Sequence, residues 1–315
     1  MARYLDPKND LTFKRIFGEH PVLLIHFLNA VMPFEPDRQI VEIEYLPAEQ
    51  VPDNPGKKNS IVDVKCKDNY HRQFIIEMQM DWEEVFMNRI VFNAGKAYVR
   101  QLIKKNAYHL LQPVYTLAIL NDTFDDKTER FYHHYQIVNR ENTEEIIPGL
   151  EFVLIELEKF RPEKMADRKL AVLWLRFLKE VDESLKTLPA ELQENEYIRQ
   201  AAELCEEGAF TPAELAAYEK YWDIIRTGIA VRESIRLKSL KKGEATGLKK
   251  GETIGLKKGE IIGLEKGEAI GLEKAVINGA RANYSIEAIS TFTGLTAGQI
   301  TEILKRHGIR VGSSE

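Results

Sequence analysis

Three side chains in the first third of the chain have the types and spacing to do chemistry: Asp63, Glu77 and Gln79. Asp63 stands in the run Ser60–Lys67, and Glu77 and Gln79 stand in Arg72–Met80. The link between the runs, Asp68-Asn69-Tyr70-His71, has turn chemistry, and the two runs read as an antiparallel hairpin. Asp63 and Glu77 are each seven positions from Tyr70, so a hairpin centred there sets the two carboxylates opposite one another. Like charges directly opposed destabilise a strand pair. A divalent cation between them removes that penalty, polarises a phosphodiester and lowers the pKa of a water. All-oxygen ligands suit Mg²⁺ or Mn²⁺ rather than zinc. Gln79, two residues beyond Glu77, shares its face and can orient water or phosphate. A hairpin with one solvated face also carries Asp, Lys, Glu and Gln to no specific end, and spacing alone does not separate the two cases.

The register rests on the apolar pattern. Val62, Val64 and Cys66 alternate on one face of the first strand, and Phe74, Ile76, Met78 and Met80 on one face of the second. Glu83–Lys105 follows as a helix with Phe86, Ile90, Ala94, Ala97, Tyr98 and Leu102 near one stripe. It crosses over to a buried strand at Pro113–Leu120, and strands at Gln39–Leu46, Phe131–Asn139 and Phe152–Leu157 complete a sheet. Residues 1–32 read as helical, broken at Gly18 and Pro21, with Asn9 or Asp10 as N-cap. Pro52–Lys58 reads as a loop, and Met165–Leu240 as helix throughout. The expected fold is α/β, a mixed sheet flanked by helices, followed by a helical C-terminal region.

Composition excludes several classes. Two cysteines, Cys66 and Cys205, make neither a disulfide framework nor a cysteine zinc site, and the seven histidines form no HxH or HxxxH pair. A net charge of −5 argues against a polybasic coat without excluding a local basic groove. No apolar run has the length of a membrane span and no signal-peptide pattern opens the chain, so the expected compartment is the cytoplasm, away from membranes.

The segments SIVDVKCKD, with Asp63, and FIIEMQM, with Glu77 and Gln79, closely resemble the recombination-promoting nucleases, also described as transposases, of the PD-(D/E)XK superfamily. The opening LDPKNDLTFKRIFGEHPVLLIHFLNAV is similar to that family's N-terminal helical segment, and the resemblance covers roughly residues 4–130. It implies a restriction-endonuclease-like core that cuts DNA with Mg²⁺, Mn²⁺ or Ca²⁺. By the same resemblance Asp63 and Glu77 are the acidic metal ligands and the Met78 carbonyl a further one. Gln79 stands where the wider superfamily has lysine, and glutamine supplies no cation. Asp10 is either an acidic contact to the site or a helix N-cap. Lys14, Arg89, Lys96 and Tyr98 are candidates to face the scissile phosphate, or else lie on a solvated face or at the core edge. The alternative function is a nuclease fold without turnover, kept for DNA binding, regulation or interaction.

From Lys241 the sequence repeats as KKGEATGL, KKGETIGL, KKGEIIGL and EKGEAIGL, with glycine every fourth residue from Gly243 to Gly271. Eight Lys against six Glu over 241–274 exclude a polybasic tether. The octads read either as a linker or as a helix whose glycine stripe admits a second copy, giving a homo-oligomer, most simply a dimer. Ser285–Leu304 reads as two helices around a Gly-Leu turn, a helix-turn-helix-like unit that contacts DNA or serves as packing. The expected division is a nuclease core over 1–160, a helical extension over 161–240, octads over 241–274 and a small helical module over 275–315.

Overall fold

A computed structural model describes residues 3–50, 60–102, 107–162 and 169–309. The expected loop at Pro52–Lys58 lies outside the described residues. The chain divides into two compact units, residues 1–230 and 231–315.

In the first unit, the helical opening comes in pieces: α1 (Asp10–Phe13), a π-helical turn over Lys14–Gly18, and α2 (Pro21–Val31). Asn9 is the N-cap, its side-chain oxygen accepting the Leu11 N–H, so Asp10 is released from that duty. The six-stranded sheet has the order β1-β4-β5-β6-β8-β7, with β1 (Ile43–Tyr45), β4 (Val64–Asp68), β5 (Gln73–Gln79), β6 (Val114–Leu120), β7 (Tyr132–Val138) and β8 (Ile146–Glu156). β5, β6 and β8 run parallel, and the other neighbours pair antiparallel. The expected α/β class with a mixed sheet is what is found. The helix α3 (Val85–Val99) makes the crossover from β5 to β6. β8 begins six residues earlier than the pattern indicates, because Pro148-Gly149 is absorbed beside a register shift in β7 at Gln136/Ile137. Gly149 has φ 155°, and the Tyr98 hydroxyl oxygen lies 3.4 Å from where a Cβ would stand.

One correction concerns the hairpin. The first run is not a single strand: β3 (Ser60–Ile61) pairs with β2 (Glu49–Gln50) in a separate ribbon, and the chain bends at Val62–Asp63 before β4 starts. The Val62 N–H donates to the Ala48 carbonyl, and the bend turns Val62 away from Val64. Val62 packs with Ile75, Ala94, Ala97 and Val114 under α3, whereas Val64 and Cys66 join Phe74, Ile76 and Met78 on the other face.

That other face carries the larger core. Phe13, Phe17, Phe27 and Leu28 meet Trp174, Phe177 and Leu178 of α4 (Lys169–Glu180) over the sheet. Each such fully buried side chain contributes on the order of 1.5–3 kcal/mol. The helical stretch from Met165 onward is interrupted: α5 (Ala190–Gln193) and α6 (Glu196–Glu203) are short, with Pro189 and Asn195 as their caps. The long helix α7 (Pro212–Arg281) starts where Thr211 and Glu214 cap one another. Its first turns pack Tyr218 and Trp222 against Leu5 and Phe210.

In the second unit the octads are helical, part of α7, with nothing within 4 Å of a Cβ built on any of their glycines. Val276 meets Ile289 of α8 (Ile286–Thr293) and Ile300 and Leu304 of α9 (Ala297–Arg306) in a small core. Gly294 supplies the left-handed turn at φ 72°, and Thr296 with Gln299 forms a capping box. Gly279 admits α8 closely, a Cβ there falling 3.0 Å from Ile289.

Candidate active site

The bend at Asp63 builds the site. Along β5, alternate residues bond to the two neighbouring strands; Gln73 and Gln79 face the β6 side, through Pro113 and Asn121. Met78 therefore faces the β4 side, where the ladder has ended, and its N–H donates instead to Asp63 Oδ2 at 2.7 Å. N–H and C=O of one strand residue face the same edge, so the Met78 carbonyl looks toward the side that Asp63 occupies. The last ladder pair is Val64 with Ile76, and one step on stand Asp63 and Glu77.

Glu77 is buried, on the face covered by α3, and its Oε1 accepts a hydrogen bond from Asn93 Nδ2 at 3.2 Å. Asn93 is itself fully buried, and its own Oδ1 has no hydrogen-bond partner. Arg89, one turn earlier on α3, donates to Gln79 Oε1 at 2.6 Å, and Gln79 Nε2 donates to the Asp81 carbonyl at 2.7 Å. Asp10 pairs with Lys14 at 2.7 Å. Both members of that pair act on Asp63 electrostatically, as does Arg89.

Burial raises the pKa of both carboxyls. Asp63, half-buried at the bend, is pushed up mainly by desolvation, against the hydrogen bond from Met78. Glu77 is pushed up further, by desolvation first and then by the charge of Asp63, with Arg89 and Asn93 opposing. Two neighbouring carboxyls in this position each disfavour the other's ionisation.

Of the residues singled out in the sequence, the fold brings Asp63, Glu77, Gln79, Asp10, Lys14 and Arg89 to one neighbourhood, with the Met78 backbone at its edge. It sends Lys96 and Tyr98 elsewhere. Lys96 donates to the Gln50 carbonyl beside the β2–β3 ribbon, and Tyr98 packs near Gly149 and Val114. Two neighbours of the site are not among the residues singled out in the sequence. Asn93 had a signal, a polar residue in the buried stripe between Ile90 and Ala97. Tyr221 had none: in the run YEKYWDII it reads as helix core, yet it lies close enough to Asp10 and Asp63 to feel their charges.

The chain matches the model of the PD-(D/E)XK nuclease family transposases over residues 7–226, and it belongs to that family. Its mixed sheet between helices is the restriction-endonuclease-like fold that the resemblance implied. The matched stretch includes α4 to α6 and the first turns of α7, which share hydrophobic clusters with the N-terminal segment. No curated protein and no solved structure matches the chain.

Proposed function

We infer that the protein is a metal-dependent DNA endonuclease that hydrolyses phosphodiester bonds in DNA recombination, mobile-element or defence biology. The observation that carries this reading is the placement of Asp63 and Glu77 one step beyond the end of the β4–β5 ladder, both with raised pKa and both beside cationic side chains.

The donor set fits a hard divalent cation. Asp63, Glu77 and the Met78 carbonyl offer oxygen alone, and Cys66 and Cys205 are buried, with their thiols held protonated by burial. Among the described residues no three or more His, Cys, Asp and Glu side chains stand close enough together to hold one ion. Few protein ligands, with water and phosphate oxygens in the remaining positions, is how Mg²⁺ is commonly held, and Mn²⁺ or Ca²⁺ accepts similar donors. A cation there polarises the phosphodiester and makes a nearby water more acidic.

The chain's own groups do the rest. Asp63 and Glu77 would hold the cation, and Asn93 fixes the Glu77 carboxylate by donating to it. Gln79, held at both ends by Arg89 and Asp81, orients water or phosphate. Arg89 and Lys14 bring the positive charge that glutamine cannot, next to where charge develops on the phosphorane oxygens.

A plasmid-cleavage assay with Mg²⁺, Mn²⁺, Ca²⁺ and EDTA lanes tests the reading. Nicked or linear product with Mg²⁺ or Mn²⁺ and none in EDTA is expected. DNA that is bound but uncut with every cation means a nuclease fold retained for binding alone.

A further inference from the structure

Beside the carboxylates lies a cavity of about 390 Å³ whose walls include Asp10, Leu11, Lys14, Arg15, Glu214 and Tyr221. It is formed by the N-terminal helical segment and the first turns of α7, all within the first unit. Asp10 and Lys14 belong both to this cavity and to the electrostatic surroundings of Asp63. Tyr221 is half-buried, and its hydroxyl has no hydrogen-bond partner among the described residues, unlike Tyr218 one turn earlier, which bonds to Asp6 and Glu183. An aromatic ring with an idle hydroxyl, Arg15, and Lys14 in its 2.7 Å pair with Asp10 thus line one recess adjoining the proposed cleavage site, with Glu19 and Glu214 on the same walls.

A recess differs from a groove in what it admits. Stacked, paired bases present only their edges and backbone, so a base held in a duplex does not enter a recess. A nucleotide turned out of the stack does enter, with its base against an aromatic side chain and its phosphate near a cation. We propose that this cavity is the subsite for an unstacked nucleotide next to the scissile phosphate, with the Tyr221 ring as stacking partner and Lys14 as phosphate contact. The substrate class that follows is DNA unpaired at the cleaved position: single strands, bubbles or frayed ends. This rests on the nuclease reading above and specifies its substrate.

The test uses the full-length protein and 30-mer duplexes, one fully paired and one with a three-nucleotide bubble carrying 2-aminopurine. Binding is followed by 2-aminopurine fluorescence with Ca²⁺, and cleavage separately with Mg²⁺. Wild type is expected to change the fluorescence and to bind the bubble more tightly than the paired duplex. Tyr221→Ala is expected to lose about tenfold in bubble affinity, leaving paired-duplex affinity unchanged. Tyr221→Phe, which keeps the ring, is expected to retain the fluorescence change. Circular dichroism melts establish that the variants are folded. Equal affinity of wild type for both duplexes, or an equal loss for both in Tyr221→Ala, overturns the subsite. Cleavage of both duplexes alongside that result leaves the nuclease reading standing. Selective bubble binding through Tyr221 without cleavage by any cation overturns the nuclease reading and leaves the subsite.

Discussion

Asp63 combines two tasks in one carboxylate: one oxygen takes the Met78 N–H that the ended ladder leaves over, and the group faces Glu77. Asp63→Asn is therefore the cleaner probe, because it removes the charge and keeps an acceptor. It should abolish cleavage while leaving the metal-free melting temperature at pH 8 unchanged or raised, and wild-type cleavage rates in that variant would sink the ligand assignment. The pair also sets a pH dependence. In the unfolded chain both carboxyls ionise near pH 4, whereas in the fold Asp63 is raised to about 6 and Glu77 to about 8. The unfolded chain thus releases these protons first, so metal-free stability falls as pH rises from about 4 to about 8 and levels off above. Glu77→Gln removes most of this contribution. Thermal melts in EDTA should show its stability relative to wild type growing across that window, and a constant difference would refute the raised pair. For activity, Gln79→Ala should cost less than Glu77→Gln, and less than Arg89→Gln, which should lose about 10–100-fold because it removes charge beside the site. A larger loss at Gln79 in steady-state cleavage would show the roles reversed.

Among the elements, α7 joins the nuclease core by its first turns. Tyr218 accepts the Asp6 N–H at 2.9 Å and donates to Glu183, tying the N-terminal segment and the loop after α4 to the helix. Tyr218→Phe leaves the buried Asp6 N–H without that acceptor and should cost about 1–3 kcal/mol in urea denaturation. A loss below about 0.5 kcal/mol would mean that α7 is held by packing alone, through Leu5, Phe210 and Trp222. The octads are a different kind of element. Four residues advance an α-helix by one turn and about 40°, so from Gly243 to Gly271 the glycine stripe travels through about 280°. Leu248, Leu256 and Leu264 are exposed and rotate with it. A partner helix can follow such a stripe only by winding around it, which is the sense in which a period longer than 3.6 favours right-handed coiling.

At the scale of the whole molecule, the proposed endonuclease reading bears on how many sites act together. One hydrolytic site cuts one strand per event, and a second copy supplies a second site. If the octads bring two copies together, full-length protein should sediment as a dimer, and deletion of Lys241–Leu272 should give a monomer that mainly nicks plasmid. An unchanged oligomeric state in analytical ultracentrifugation would make the repeats a spacer. Among the described residues no helix is long and apolar enough to cross a membrane.

The Asp63–Glu77 register was legible in the sequence because it follows from local quantities: a turn at Asp68–Arg72 and an apolar alternation in β5 that allows one pairing with β4. The crossover helix, the parallel neighbour β6 and the Gly294 turn were legible for the same reason. The bend at Val62–Asp63 was not, because Val62, Val64 and Cys66 alternate as a straight strand does. Only the pull of the β2–β3 ribbon and the packing of Val62 beneath α3 break that alternation. Nor did spacing choose among the basic candidates. Arg89 and Lys96 lie seven residues apart on one helix, yet Arg89 reaches Gln79 while Lys96 reaches the Gln50 carbonyl, since the site occupies only one end of that helix. Tyr221 stands more than 150 residues from Asp63 in sequence and beside it in space. Contacts at that separation depend on how helices close over a sheet, a tertiary quantity that no local pattern carries.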